Sequence, residues 1–325
     1  MVRILMLSKW HVHAEGYAKF IAAQPDAEIT CVWDEDPVRG ANWAKDMGVA
    51  FEADLYKAVG REDVDAVVVD APTTAHREVI VAAAKAGKHI FTEKALAVTL
   101  EECEAIAHAV TESGVTFCIS YPHLCNPLYL LCKQLIDHKQ LGAIHYLRFR
   151  NAHNGTLGGW LPPHWYDMEK SGGGAMMDLG CHPLYVAAYL LGKPGRVASV
   201  FNTTLAPAGD DNAVSVVEFE NKAIAVVETS FISPFDAGCF ELLGTEGAVI
   251  SMGTDIKIRT KGNNQAWRAP DALPEKLPDP LRMWLDGITR GTPILFDINM
   301  ALALTQLLEN AYRSDETQEI VTIKK

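Results

Sequence analysis

Up to residue 121 the chain alternates short apolar runs with amphipathic stretches. Residues 4–7, 28–33, 65–69, 88–91 and 116–119 read as strands, and 14–23, 38–47, 74–86 and 99–113 as the helices between them. The run Ala66-Val67-Val68-Val69 has no polar position. A strand with no polar face is buried on both sides, which requires helices above and below the sheet. Gly48 and Gly87 close two of these helices, and Thr99 caps a third, with Glu101 and Glu102 in its first turn. The pattern predicts a doubly wound parallel sheet of Rossmann type.

Beyond residue 121 the rhythm changes. A helix over 126–138 and a strand over 144–150 lead into a loop rich in Gly, Pro, His and Trp at 153–174. An apolar helix containing Asp178 and His182 follows. Strands then crowd together at 196–205, 213–220, 223–231, 239–243, 248–252 and 255–259, before helices at 281–289 and 298–314. This predicts an α+β domain with a large, mainly antiparallel open sheet. The expected division is one domain at 1–121 and a second at 122–325, with the last helix packing back on the first domain.

A chain of 325 residues supports two such cores. Its formal charge of -12 argues against nucleic acid as a partner, because phosphate binding needs a basic surface. No apolar run is long enough to span a bilayer. Residues 2–7 read as a first strand and not as a signal peptide. Seven cysteines with no C-x-x-C pair fit reduced thiols, so a cytoplasmic protein without a structural zinc site is expected.

The candidate chemistry concentrates in two places. Gly172-Gly173-Gly174 precedes Asp178 and His182, whose spacing puts a carboxylate and an imidazole on one helix face. That spacing fits an ordinary surface pair, and it also fits a His that moves protons beside an Asp that orients it. Glu93 and Lys94 stand at the carboxyl end of the strand at 88–91. Lys, Asp and His so placed suit removal of a proton from an alcohol. His11 and His13 suggest a cation site, with His76 as a further ligand, but no carboxylate or thiol partner can be placed beside them, so no metal is expected.

Several segments together resemble the glucose–fructose oxidoreductase/inositol dehydrogenase (Gfo/Idh/MocA) family. They are the turn from Val67 through Asp70, Pro72, Thr73 and His76, the segment around Glu93-Lys94-Ala95, the stretch from Gly172 to Gly192, and the ending Ala311-Tyr312-Arg313-Ser314. The resemblance implies an NAD(P)-dependent dehydrogenase acting on a sugar, inositol or related polyol. It also implies Lys94, Asp178 and His182 as catalytic residues and a homodimer or homotetramer built on the open sheet face. On this reading Pro72, Thr73, His76, Glu93 and Lys94 border the cofactor, and His123, His153, His164 and Trp165 border the substrate. Two alternatives remain: a relative that uses bound NAD to cleave a bond without net redox change, and a silent sugar-binding protein.

The first strand–helix turn departs from the family pattern. Where G-x-G-x-x-G is expected, the chain reads Ser8-Lys9-Trp10-His11-Val12-His13. Those glycines ordinarily let the backbone approach a diphosphate. Trp10 or His11 would crowd the phosphates unless the turn takes another path, and Ser8, Lys9 and His11 offer side-chain donors instead. Asp34, at the end of the second strand, fits a ribose ligand and favours NAD over NADP. It equally fits a simple helix start before Pro37, and Arg39 keeps a 2′-phosphate open.

Overall fold

A computed structural model describes residues 1–235, 238–263 and 266–323. The chain divides into two compact units. The first comprises Met1–Tyr121 and Pro278–Leu302, and the second Pro122–Leu277 and the chain from Ala303 onward. The sequence reading had placed all of 122–325 in the second domain, with the last helix returning to the first. Here Pro278–Leu302 groups with the first unit.

The first unit runs β1 (Val2–Leu7), α1 (Ala14–Ala22), β2 (Ala27–Trp33), α2 (Pro37–Met47), β3 (Ala50–Phe51), α3 (Leu55–Val59), β4 (Ala66–Val69), α4 (His76–Lys85), β5 (His89–Thr92), α5 (Leu100–Ser113) and β6 (Phe117–Ile119). All strand pairs in its six-stranded sheet are parallel, in the order β3-β2-β1-β4-β5-β6. The order reverses between β1 and β4, where an open parallel sheet leaves a crevice at its carboxyl edge. β4 is fully buried, as its apolar run requires.

Local chemistry sets the helix ends. Thr99 forms a capping box with Glu102. Asp36 accepts from the amides of Val38 and Arg39, with Pro37 in the first turn. β3 and α3 escaped the sequence reading because a two-residue strand and a five-residue helix carry no readable period. The helix expected at 74–86 opens, behind Pro72, as a 3₁₀ turn, Thr73–Ala75.

The second unit contains α6 (Pro127–Asp137), β7 (Ile144–Ala152), α7 (Met168–Ser171), α8 (Cys181–Leu191), β8 (Pro194–Asn202), β9 (Asn212–Phe219), β10 (Ile224–Ser230), β11 (Cys239–Gly244), β12 (Gly247–Met252) and β13 (Asp255–Thr260). α9 (Pro280–Arg290) belongs to the first unit. α10 (Ile298–Thr317) begins there, and its residues from 303 group with the second unit. β14 (Val321–Thr322) closes an eight-stranded sheet ordered β13-β12-β11-β7-β10-β9-β8-β14. Only β7 and β10 pair in parallel among its described strands.

One face of this sheet carries α8, which packs on β7 and β10. Ala213, Ser215, Val217 and Phe219 of β9 point into the buried side, while Val214 and Val216 stay exposed on the other. All seven cysteines are buried.

Candidate active site

In the first unit, the chain leaving β1 turns without glycine. Ser8 takes a left-handed backbone conformation, φ 79°, the role glycine usually fills at about 1 kcal/mol less strain. Its hydroxyl oxygen accepts from the Trp10 amide at 3.0 Å and from Arg39 Nη2 at 3.3 Å, and its amide donates to Trp33 O at 2.7 Å. Trp10 is buried, so the indole does not project from the turn. This is the other path that the sequence left open.

Asp34, at the end of β2, is buried and braced. Its carboxylate accepts from the Lys9 amide (2.9 Å), the Asp36 amide (2.8 Å), Arg39 Nε (2.9 Å) and Arg39 Nη2 (2.6 Å). Arg39 also reaches Glu35. The helix start is supplied by Asp36, while Asp34 is the strand-end carboxylate that ties the first turn to Arg39 of α2.

The β4 and β5 ends lie beside this turn. The His11 amide donates to Asp70 O at 3.0 Å. His76 is buried, with Nδ1 3.1 Å from Leu96 O and Nε2 3.0 Å from Ala71 O. Its ring thus braces the Pro72–Thr73 turn and the segment after Lys94, and burial pushes its pKa down. It is not the metal companion suggested for His11 and His13. That place is taken by Glu93: His13 Nδ1 lies 2.8 Å from Glu93 Oε1, and Tyr17 donates to the same oxygen. The Lys94 amide donates to Glu93 Oε2 at 3.0 Å. Burial alone would raise the Glu93 pKa, but the charges of His11, His13 and Lys94 outweigh it and hold the group well below the usual range. Lys94 is itself buried, as are Pro72 and Thr73.

In the second unit the expected helix through Asp178 is a π-helical turn, Met176–Gly180, leading into α8. Wider turns of this kind often mark functional sites. They break the simple four-residue alignment of Asp178 with His182 that an α-helix would impose. Asn151 donates to Leu179 O at 3.1 Å and pins the turn to β7.

His182 is buried at the start of α8, and its Nδ1 lies 2.8 Å from the Tyr185 hydroxyl. The His123 ring stacks on His182 with centroids 4.4 Å apart, and the His123 amide donates to Tyr185 Oη at 3.2 Å. Sequence reading did not single out Tyr185. Its three-residue spacing from His182 was the available signal.

The glycine run is explained by what it touches. A Cβ at Gly173 would strike the Tyr312 hydroxyl, and one at Gly174 the Asp210 backbone. Asp210 accepts from the Gly174 amide (3.0 Å), the Met176 amide (2.7 Å) and Tyr312 Oη (2.9 Å). Tyr312 Oη in turn accepts from the Gly174 and Met177 amides. This buried knot fixes the segment that delivers Asp178. Asp210 lay outside the sequence reading, because nothing local links it to a glycine run 36 residues away.

Of the residues expected around substrate, His123 meets His182. His153 stacks on Phe231 (5.1 Å) and accepts from the Gly155 amide at 3.0 Å, so it shapes its own loop. His164 and the buried Trp165 lie on the 3₁₀ turn Pro163–Tyr166, their rings 6.1 Å apart.

Residues 12–121 match the family described as oxidoreductase family, NAD-binding Rossmann fold, and residues 129–250 match the GFO/IDH/MocA C-terminal domain. The scyllo-inositol 2-dehydrogenase (NAD(+)) of Bacillus subtilis (strain 168) is 31% identical over 74% of this chain and 69% of its own length. The 2,7-anhydro-N-acetylneuraminate hydratase of Escherichia coli (strain K12) is 28% identical over 71% of this chain and 63% of its own. In structure, levoglucosan dehydrogenase in complex with NADH and levoglucosan superposes with a TM-score of 0.86 over 100% of both chains, at 20% identity.

Proposed function

Because the chain belongs to the Gfo/Idh/MocA family of oxidoreductases, with an NAD-binding Rossmann fold, we propose that it transfers a hydride between NAD and a hydroxyl-bearing carbon of a sugar, inositol or related polyol. The observation that carries this reading is His182, a buried imidazole held at Nδ1 by the Tyr185 hydroxyl and stacked on His123. Such a ring keeps one orientation, and its Nε2 exchanges the alcohol proton. Lys94 stabilises negative charge on an alcohol oxygen as its proton leaves. Asp178 holds a neighbouring hydroxyl or orients His182.

The residues of the first unit fit the dinucleotide. The sheet order leaves its crevice between β1 and β4, and the first turn keeps its indole buried. Bound NAD supplies the hydride acceptor. Pro72, Thr73 and Lys94 would border the nicotinamide, His76 and Glu93 would support that end of the cofactor, and Ser8 would serve the phosphates. Asp34 sets the preference for NAD. Turning Arg39 toward a 2′-phosphate would strip a buried carboxylate of its bidentate partner, leaving two amides for it. His123, His164 and Trp165 serve the substrate, and His153 supports their loop.

A non-redox reading has one observation in its favour: a similar protein carries the name hydratase. Incubation with NAD and a panel of inositols and sugars separates the two. NADH formation, abolished in His182→Ala, supports hydride transfer. Substrate loss without NADH supports the alternative, and sugar binding without turnover supports a silent binder. The exposed Val200, Val214, Val216 and Ile224 of the open sheet face support a homodimer or homotetramer. The buried cysteines, with no C-x-x-C pair, support a cytoplasmic setting. Among the described residues no helix is long and apolar enough to cross a membrane.

A further inference from the structure

The turn after β1 has lost its glycines and gained two histidines. His11, His13 and Glu93 each offer one ligand atom, and these atoms all lie within 4.8 Å of one another. His13 Nδ1 and Glu93 Oε1 hydrogen-bond at 2.8 Å without an ion, and would part by roughly half an ångström to become ligands about 2.0–2.2 Å from a tetrahedral ion. We propose that His11, His13 and Glu93 bind one divalent first-row cation, zinc or a metal of similar preference, at the amino end of α1. We further infer that the ion's open position meets the diphosphate of NAD, doing there what glycine amides do in a G-x-G-x-x-G turn. This second half rests on the NAD reading; the first does not.

The surroundings support the assignment. Two imidazoles and one carboxylate, with a fourth position left open, form a ligand set that zinc accepts. Glu93 is oriented by groups that are not ligands, Tyr17 and the Lys94 amide, and Tyr17 also lies 2.8 Å from Ser120 Oγ. Outer hydrogen bonds of this kind hold a ligating carboxylate in place. His13 is half exposed and caps α1, so the open position reaches the helix terminus, where anions dock.

Charge provides the independent observation. Asp70, at the end of β4, is fully buried, and neither carboxylate oxygen has a hydrogen-bond partner. The His11 amide donates to the Asp70 carbonyl at 3.0 Å, so an ion held by His11 adds positive charge beside this unpartnered carboxylate. His76 stays outside the set because both its nitrogens face backbone carbonyls.

The test is titration of the chelator-treated, full-length protein with Co²⁺ at neutral pH, followed by visible absorption, with Zn²⁺ as competitor. The expected result is one equivalent bound, with the intense visible bands of a low-coordinate site, bleached by Zn²⁺. Affinity should fall at least about tenfold in His13→Ala and in Glu93→Gln. If Glu93→Gln fails to fold, His13→Ala decides, since that side chain is half exposed. Absence of the bands, or unchanged affinity in His13→Ala, overturns the site. Calorimetry of NAD against the Co²⁺-loaded and chelated forms tests the second half. Tighter binding by the loaded form supports it, and equal affinity overturns it. Bands without NAD binding in either form contradict the cofactor reading and leave the metal site standing.

Discussion

His182 is useful because of a residue three positions on. The Tyr185 hydroxyl at 2.8 Å fixes one ring nitrogen, and His123 stacked at 4.4 Å fixes the ring plane. His182→Asn should lower kcat by about 10²–10⁴, the usual contribution of a general base, as steady-state turnover would show. Tyr185→Phe should keep the base but loosen it. Turnover is expected to fall about tenfold, with the pH profile shifted and KM nearly unchanged. An unshifted profile would reduce Tyr185 to packing. At the other site, Asp34→Ser should remove the bidentate partner of Arg39 and free the guanidinium. The ratio of NAD to NADP affinity should then fall by about tenfold, roughly 1.4 kcal/mol, measured by calorimetry with both nucleotides. An unchanged ratio would take Asp34 out of cofactor choice.

At the scale of elements, the parallel sheet was legible because β4 and its neighbours are apolar on both faces, and because Thr99 and Gly48 mark helix ends by their own chemistry. Short pieces such as β3 and α3 were not. The π-helical turn at Met176–Gly180 was not legible either, because it depends on Asp210 and Tyr312, distant in sequence. Likewise the glycine-free turn reads as a defect until Ser8 is seen in a left-handed conformation with its hydroxyl accepting from Trp10. One pairing between elements gives a pH prediction. Arg3 on β1 donates twice through its side chain to Asp65, just before β4, and this holds the Asp65 pKa at about 2. A carboxylate depressed in the fold stabilises it above the unfolded value of about 3.9. That contribution should fade as pH falls from about 4 toward 2. Both side chains are more than a third exposed, so the effect is modest. Asp65→Asn should flatten this part of the acid unfolding curve, and an unaltered curve would show the pair to be neutral.

For the whole molecule, the second unit's sheet presents one face to α8 and leaves Val200, Val214, Val216 and Ile224 exposed on the other side. Val214→Glu with Val216→Glu should convert an oligomer to monomer in light scattering without loss of helix content; an oligomer of unchanged mass would place the interface elsewhere. The two units each carry part of the proposed chemistry: Asp34, Glu93 and Lys94 in the first, Asp178 and His182 in the second. The most direct measurement mixes purified protein with NAD and a panel of inositols and sugars and follows NADH by its absorbance, with His182→Ala alongside. NADH formation with at least one polyol, lost in the variant, is the predicted result. Substrate conversion with no NADH, or NADH formation that survives His182→Ala, would contradict the proposed hydride transfer through this site.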